Sequence, residues 1–340
     1  MRLPAEWEPQ QLVLFAFPRR GGDWGDQLIA ASAAMIQAAN LVNEVTPVLL
    51  IVADPEHYSH YAKDFEGEVL ELATDDCWIR DYGPITVLDS DKQPIFLDFT
   101  FNGWGGKFSA AQDNQLPARL QAAKFPKVVH QKVDLVLEGG SIDSDGMGTL
   151  LTTTTCLLGA GRNNWSEPEK AEKILRQYFG KRTDVYWLTD GELIGDDTDA
   201  HVDTLARFLD ELTIAYVSCD ESSDPHFMSL KEMEEDLKLL RTPHHKAYKL
   251  LALPLPPPVH NADGQRLPAT YANFLISNGH LFLPTYFDTE APDHPGSKTD
   301  QVAIKLLTEY GKYQVIPVPC RPFLEQHGSL HCLTMQIPVF

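Results

Sequence analysis

Short apolar runs alternate with longer amphipathic stretches from one end of the chain to the other. Residues 12–17 and 47–53 have the aliphatic and aromatic content of buried strands, with a helix expected over 26–43 between them. Further strands are expected at 94–101, 135–143, 149–158, 184–188, 212–218, 246–253, 274–286, 314–320 and 330–339. Ser166-Glu167-Pro168-Glu169 reads as a capping box, followed by Ala171, Ile174, Leu175 and Tyr178 on one helical face. Ser229-Leu230-Lys231-Glu232 is a second start signal, and Thr299 or Asp300 caps a third helix carrying Val302, Ala303, Leu306, Leu307 and Tyr310. No Gly/Ser linker divides the chain, and strand, helix and strand keep returning without clean self-similarity in sequence. The pattern is that of an α/β fold made of similar modules.

Charge narrows the partners. Lys and Arg number 28 against 48 Asp and Glu, a formal net charge of −20. Such a surface repels nucleic acid and anionic lipid and attracts small cations. No stretch has the length and apolarity of a membrane span, and the N-terminal residues lack an apolar signal core, so a cytoplasmic protein is expected. The cysteines, Cys77, Cys156, Cys219, Cys320 and Cys332, include no C-x-x-C pair, which fits neither a disulfide framework nor a zinc knuckle. Oligomeric state is left open, a homo-oligomer included.

Four places concentrate reactive side chains. In Asp75-Asp76-Cys77-Trp78-Ile79-Arg80-Asp81, carboxylates beside an aromatic ring suit a planar cation, though an acidic surface loop with Trp78 plugging the core fits as well. Glu138 ends an apolar run and precedes Gly139-Gly140, either pointing into a cavity or lying at a surface turn. His201 and Asp203, two apart, would share one face of a strand, as a proton-transfer histidine beside a binding carboxylate or as two metal ligands. No third ligand stands out, so metal is the weaker choice. Cys332 follows a Gly-Ser turn and His331, unlike Cys156 and Cys219, which read as small buried apolar residues. No nucleotide-binding loop, dinucleotide fingerprint or H-E-x-x-H is present, and no cofactor is expected.

Taken in order and spacing, these runs resemble the agmatine deiminase and bacterial peptidylarginine deiminase family of the guanidine-modifying superfamily. The likeness starts at Pro4-Ala5-Glu6-Trp7-Glu8-Pro9. It continues through Trp78-Ile79-Arg80-Asp81, Glu138-Gly139-Gly140 and His201-Val202-Asp203 to the run 266–274, and ends at 327–332. It implies a five-bladed α/β propeller (pentein) of pseudo-symmetric ββαβ modules, with residues 1–340 forming a single catalytic domain. It also implies hydrolysis of a guanidinium group to a ureido group with release of ammonia. Agmatine comes first among the small cationic substrates, ahead of free arginine and peptidylarginine.

Carried over, Cys332 would be the nucleophile and His201 the acid/base. Glu138 would orient His201, Asp81 and Asp203 would bind the guanidinium N–H groups, and Trp78 would close one side of the pocket. Two departures bear on the far end of the substrate. His327-Gly328-Ser329-Leu330 stands where many relatives have a Gly-Gly-Gly-Asn type run. Gly159-Ala160-Gly161-Arg162-Asn163-Asn164 stands where many have Asn-x-Asn-Arg-Asn.

Overall fold

Antiparallel strand pairs followed by a helix and a parallel third strand recur through a computed structural model that describes residues 1–287 and 294–340. In the first such unit, β18 (Thr334–Pro338) pairs antiparallel with β1 (Gln10–Ala16). The helix Leu28–Asn43 then leads to β2 (Val48–Val52), parallel to β1, and β3 (Glu68–Glu71) adds an outer strand. The second unit joins β4 (Ile85–Leu88), β5 (Pro94–Thr100), the helix Leu116–Lys124 and β6 (Val129–Val136). The third joins β7 (Asp143–Ser144), β8 (Thr149–Thr153), the helix Pro168–Phe179 and β9 (Asp184–Leu188). The fourth joins β10 (Ala206–Asp210), β11 (Thr213–Ser218), the helix Phe227–Leu239 and β12 (Lys249–Pro254). A small hairpin, β13 (Val259–His260) with β14 (Arg266–Leu267), precedes the fifth unit. That unit joins β15 (Leu275–Ser277), β16 (His280–Thr285), the helix Pro295–Tyr310 and β17 (Gln314–Pro319).

Burial explains the order of strands within a unit. The middle strands are almost wholly buried, β8 without exception and β1, β11 and β16 with one partly exposed residue each. A strand covered on both faces needs a continuous apolar run, and Val13-Leu14-Phe15 and Leu281-Phe282-Leu283 supply it. The third strands β6, β12 and β17 are mostly exposed or part-exposed, and each keeps one buried residue, Val133, Leu253 and Val318, against the core. Alanines 31, 34, 38 and 39 are buried on the helix Leu28–Asn43 and allow it to lie close on the first sheet.

Several boundaries differ from the sequence expectation, each for a local reason. The run 135–143 is not one strand: β6 ends at Val136, and Gly139–Ser141 turns the chain before β7. Ser141 Oγ fixes that turn by donating to the Glu138 carbonyl at 2.6 Å. The run 274–286 is a hairpin, because Asn278 and Gly279 adopt positive φ of 43° and 84° and supply a two-residue turn. Residues 330–339 begin as the helical turn His331–Leu333 rather than as strand. Ser166 and Ser229 do not cap: the helices start at Pro168 and Phe227, and Ser229 Oγ instead accepts the Gly191 N–H at 3.0 Å. Asp300 lies inside its helix, where its carboxylate accepts the Tyr271 hydroxyl at 2.6 Å and the Phe287 N–H at 3.1 Å.

Among the described residues no helix is long and apolar enough to cross a membrane. Tyr271→Phe removes a buried donor to Asp300 and is expected to destabilise the fold by about 1–3 kcal/mol, read from the urea midpoint at unchanged slope.

Candidate active site

The turn that leads into the first strand of each unit carries buried polar side chains. Asp81 lies on the turn Ile79–Tyr82 before β4, and Glu138 immediately precedes Gly139–Ser141 before β7. His201 and Asp203 flank Val202 at the turn before β10, Asn273 comes two residues before β15, and His331 and Cys332 form the turn before β18. One position in a repeated unit therefore contributes every time, and residues as far apart in sequence as 81 and 332 meet. His201 and Asp203 do not sit on a strand as the i, i+2 spacing suggested, yet both are buried in the same cluster.

Gly140 marks the centre of that cluster. A Cβ on it would lie 2.8 Å from His201 Nδ1, 2.9 Å from Asp81 Oδ1 and 3.0 Å from Asp203 Oδ2. The Gly140 N–H donates to Asp81 Oδ1 at 3.0 Å, and Trp104 Nε1 donates to Asp81 Oδ2 at 2.9 Å, so the carboxylate plane is fixed from two sides. His201 Nδ1 is 3.6 Å from Asp81 Oδ1, an ion pair without a hydrogen bond. Among the described residues neither His201 ring nitrogen has a hydrogen-bond partner, although the residue is only 1% exposed. Asp203 Oδ1 is similarly buried and unpartnered. Buried polar atoms without partners are costly and usually await a ligand. Cys332 Sγ lies 3.9 Å from Asp203 Oδ2 and within 3.3 Å of Asn273 Nδ2, which can donate to a thiolate there.

Charge sets the protonation states. Burial alone would push the His201 pKa down, but Asp81, Cys156 and Glu138 outweigh it and hold it well above the ordinary value, so the imidazole is charged at neutral pH. Burial, with Asp203 next, pushes the Asp81 carboxyl up to about 6, and His201 pulls the other way. Burial raises the Cys332 thiol well above its ordinary value, and the negative charges of Asp203 and Asp81 add to the effect. The free site thus keeps its thiol protonated.

Among the described residues Glu138 makes no hydrogen bond to His201, but its charge helps to hold the imidazole protonated. Arg162 Nε donates to its two oxygens at 3.1 and 3.2 Å, and Arg162 also reaches Asp199 at 2.6 Å and the Thr198 carbonyl at 2.9 Å. Glu138, Cys156 and His201 bring ligand atoms within 4.8 Å of one another. A metal fits that trio poorly, because Arg162 already occupies the carboxylate and a metal would have to displace the proton of a strongly basic imidazole.

A cavity of about 260 Å³ opens onto this cluster, with Asp81 and Cys332 in its lining. Trp78 and Trp104 form aromatic walls, and Gly328 is needed opposite Trp78 because a Cβ there would run into the indole ring. The described lining includes Asp23, Asp76, Asp196, Asp197 and Glu325, with no Lys or Arg. Sequence reasoning missed Trp104, Asn273 and Arg162 as parts of the site. The signal for Trp104 is a bulky residue inside Gly103-Trp104-Gly105-Gly106, held at φ 54°.

The chain matches the family described as Porphyromonas-type peptidyl-arginine deiminase over residues 2–338. The agmatine deiminase of Stutzerimonas stutzeri (strain A1501) is 30% identical over 361 residues, covering 99% of this chain and 95% of that protein. A solved structure of C. jejuni agmatine deiminase, a cysteine-to-serine variant with substrate bound, superposes with a TM-score of 0.90 at 34% identity, covering 99% of this chain and 96% of that one. Agmatine deiminase of Enterococcus faecalis superposes with a TM-score of 0.87 at 27% identity, covering 99% and 95%.

Gly140→Ala drives a methyl group into His201, Asp81 and Asp203 together. The expected cost is about 1–3 kcal/mol of stability, measured by urea unfolding beside the unsubstituted protein.

Proposed function

The chain belongs to the Porphyromonas-type peptidyl-arginine deiminase family, and from that premise we propose that it hydrolyses the guanidinium group of agmatine, giving N-carbamoylputrescine and ammonia. One observation carries the proposal: three buried carboxylates, Asp81, Glu138 and Asp203, surround a protonated histidine and a thiol at the foot of an acidic cavity. That set suits a planar cation. A cysteine amidase or protease would develop an oxyanion at the same place, and these carboxylates would repel it.

In the proposed reaction, Asp81 and Asp203 accept N–H bonds from the guanidinium and hold its carbon against Cys332 Sγ. The incoming positive charge offsets the carboxylates that keep the thiol protonated, so as the substrate enters the Cys332 proton passes to solvent water and the thiolate remains. Asn273 Nδ2 supplies a donor to that thiolate. The sulfur adds to the guanidinium carbon, His201 gives its proton to the departing nitrogen, and ammonia leaves behind an S-alkylthiouronium on Cys332. Water then attacks the same carbon as His201 takes a proton from it, the C–S bond breaks, and the ureido product and free cysteine are restored. Glu138 acts on His201 through its charge, and Arg162 fixes the position of that charge.

The cavity favours agmatine over arginine. Its described lining holds six acidic residues, Asp81 among them, and no Lys or Arg, which suits a terminal ammonium and opposes an α-carboxylate. We also propose that the five units close around this site as a five-bladed α/β propeller, with residues 1–340 forming one catalytic domain. In support, β1 pairs with β18 across the ends of the chain, and each unit sends its first turn to the same cluster.

Ammonia release is expected from agmatine, with much slower release from free arginine or a blocked arginine peptide; preference for either of the latter would change the substrate and keep the chemistry. Cys332→Ser should bind agmatine without releasing ammonia, and turnover near the unsubstituted rate would remove it as nucleophile. A carboxyl raised to about 6 is ionised above that pH and neutral below it. The value of kcat/KM is therefore expected to fall as pH drops through about 6, when Asp81 takes up a proton.

A further inference from the structure

His331 directly precedes the nucleophile but faces away from it. Its Nδ1 lies 2.7 Å from Asp203 Oδ2, and its Nε2 lies 2.7 Å from Glu6 Oε2, with the ring 2% exposed. A carboxylate oxygen only accepts, so each of these contacts needs a proton on the ring nitrogen, and the two together need the doubly protonated ring. Neither nitrogen is then free to take a proton from Cys332.

Two buried arginines make the arrangement possible. Arg207 Nη2 is 3.0 Å and Arg80 Nη2 is 3.6 Å from the same Glu6 oxygen, and the Ile276 N–H donates to Glu6 Oε1 at 2.7 Å. Arg207 also pairs with Asp143 at 3.3 Å. The charged and titratable groups around His331 are thus Glu6 from the N-terminal segment, Arg80 and Asp81 from the turn before β4, and Asp143 on β7. His201, Asp203 and Arg207 at β10, with Cys332 beside it, complete the set. Against burial, Arg207 and His331 hold the Glu6 carboxyl far below its usual range, and the His331 bond holds Asp203 low as well. Both partners are therefore carboxylates rather than carboxylic acids.

We propose that His331 is a doubly protonated imidazolium, donating from both ring nitrogens, and a positioning residue. It clamps Asp203 through Oδ2, so that the unpartnered Oδ1 is offered, ionised, to the guanidinium, while Glu6 anchors the imidazolium from behind. The assignment rests on the function proposed above only in giving Asp203 the guanidinium to bind. It separates the two carboxylates by task. Asp81 is fixed by two neutral N–H donors and titrates near the working range, whereas Asp203 is fixed by a cation and stays charged.

Two measurements decide it. The first is ring-¹⁵N spectroscopy of histidine-labelled protein carrying His201→Gln, which removes the other protonated ring of the cluster. One imidazolium with both nitrogens protonated is expected at neutral pH, and a neutral tautomer at that position would overturn the proposal. This readout needs neither activity nor a folded His331 variant. The second is the pH profile of His331→Gln, which keeps one donor to Asp203 and loses the charge. The acid limb of kcat/KM is expected to move above its wild-type position by about one unit, with about a two-fold loss near pH 7, largely in KM, that grows toward ten-fold below pH 5 and recovers as pH rises. A uniform loss at every pH with the limb unmoved would reduce His331 to a packing role. If agmatine neither binds nor reacts, the proposed function fails while the ring spectrum still reports on His331.

Discussion

Burying three carboxylates side by side is the constraint around which the rest of this molecule is arranged. Asp81, Glu138 and Asp203 are each 4% exposed or less, and like charges at that spacing would raise one another's pKa until some took up protons unless cations met them. The chain answers with a dedicated cation for two of the three: Arg162 on Glu138, and His331 on Asp203. Among the described residues Asp81 has one ion-pair partner, His201 at 3.6 Å, and two neutral donors, and its carboxyl is the one pushed up to about 6. Charge compensation is left incomplete where the substrate is to sit, which is how a cavity can select a cation without a metal-like cage.

The repeated unit makes that crowding feasible. Each first strand starts beside the cluster, and the preceding turn is short, and helical in every unit but the fifth, so its polar side chains project inward while the strand behind it is packed in apolar core. Close approach of the turns has its own requirement. Gly140 has no Cβ because three functional side chains stand within 3.0 Å of where one would be. Residues 199 and 200, both with positive φ although neither is glycine, are strained in order to deliver His201, and the Thr153 hydroxyl and Arg162 hold them there.

Much of this was legible in the sequence, for physical reasons. Asp81, Glu138, Asp203, His201 and Cys332 stand out because charged or reactive residues beside apolar runs and glycines are expensive unless used. Their wide separation became informative only through the order of the motifs. Local signals misled where tertiary contacts outbid them: Ser229 read as a helix cap but accepts the Gly191 N–H from another unit, and Asp300 read as a cap but holds two tyrosine-bearing segments. Glu6, Arg80, Arg207, Asn273 and Arg162 could not be assigned tasks from sequence. Each works through a partner dozens to hundreds of residues away, as Glu6 does with His331, and nothing in a local window marks such a pair. The regular strand plan was hidden for a related reason. Units that share geometry bury different side chains, and β3 and β7 are too short or too polar to announce themselves.

The central claim is that the buried carboxylates keep Cys332 a thiol until a cation arrives. Alkylation of Cys332 by a cationic haloacetamidine and by neutral iodoacetamide, followed by intact mass across a pH series, tests it most directly. The account predicts rapid modification by the cationic reagent at neutral pH, while the neutral reagent reacts only as pH rises. Equal rates with the same pH dependence for both reagents would contradict it.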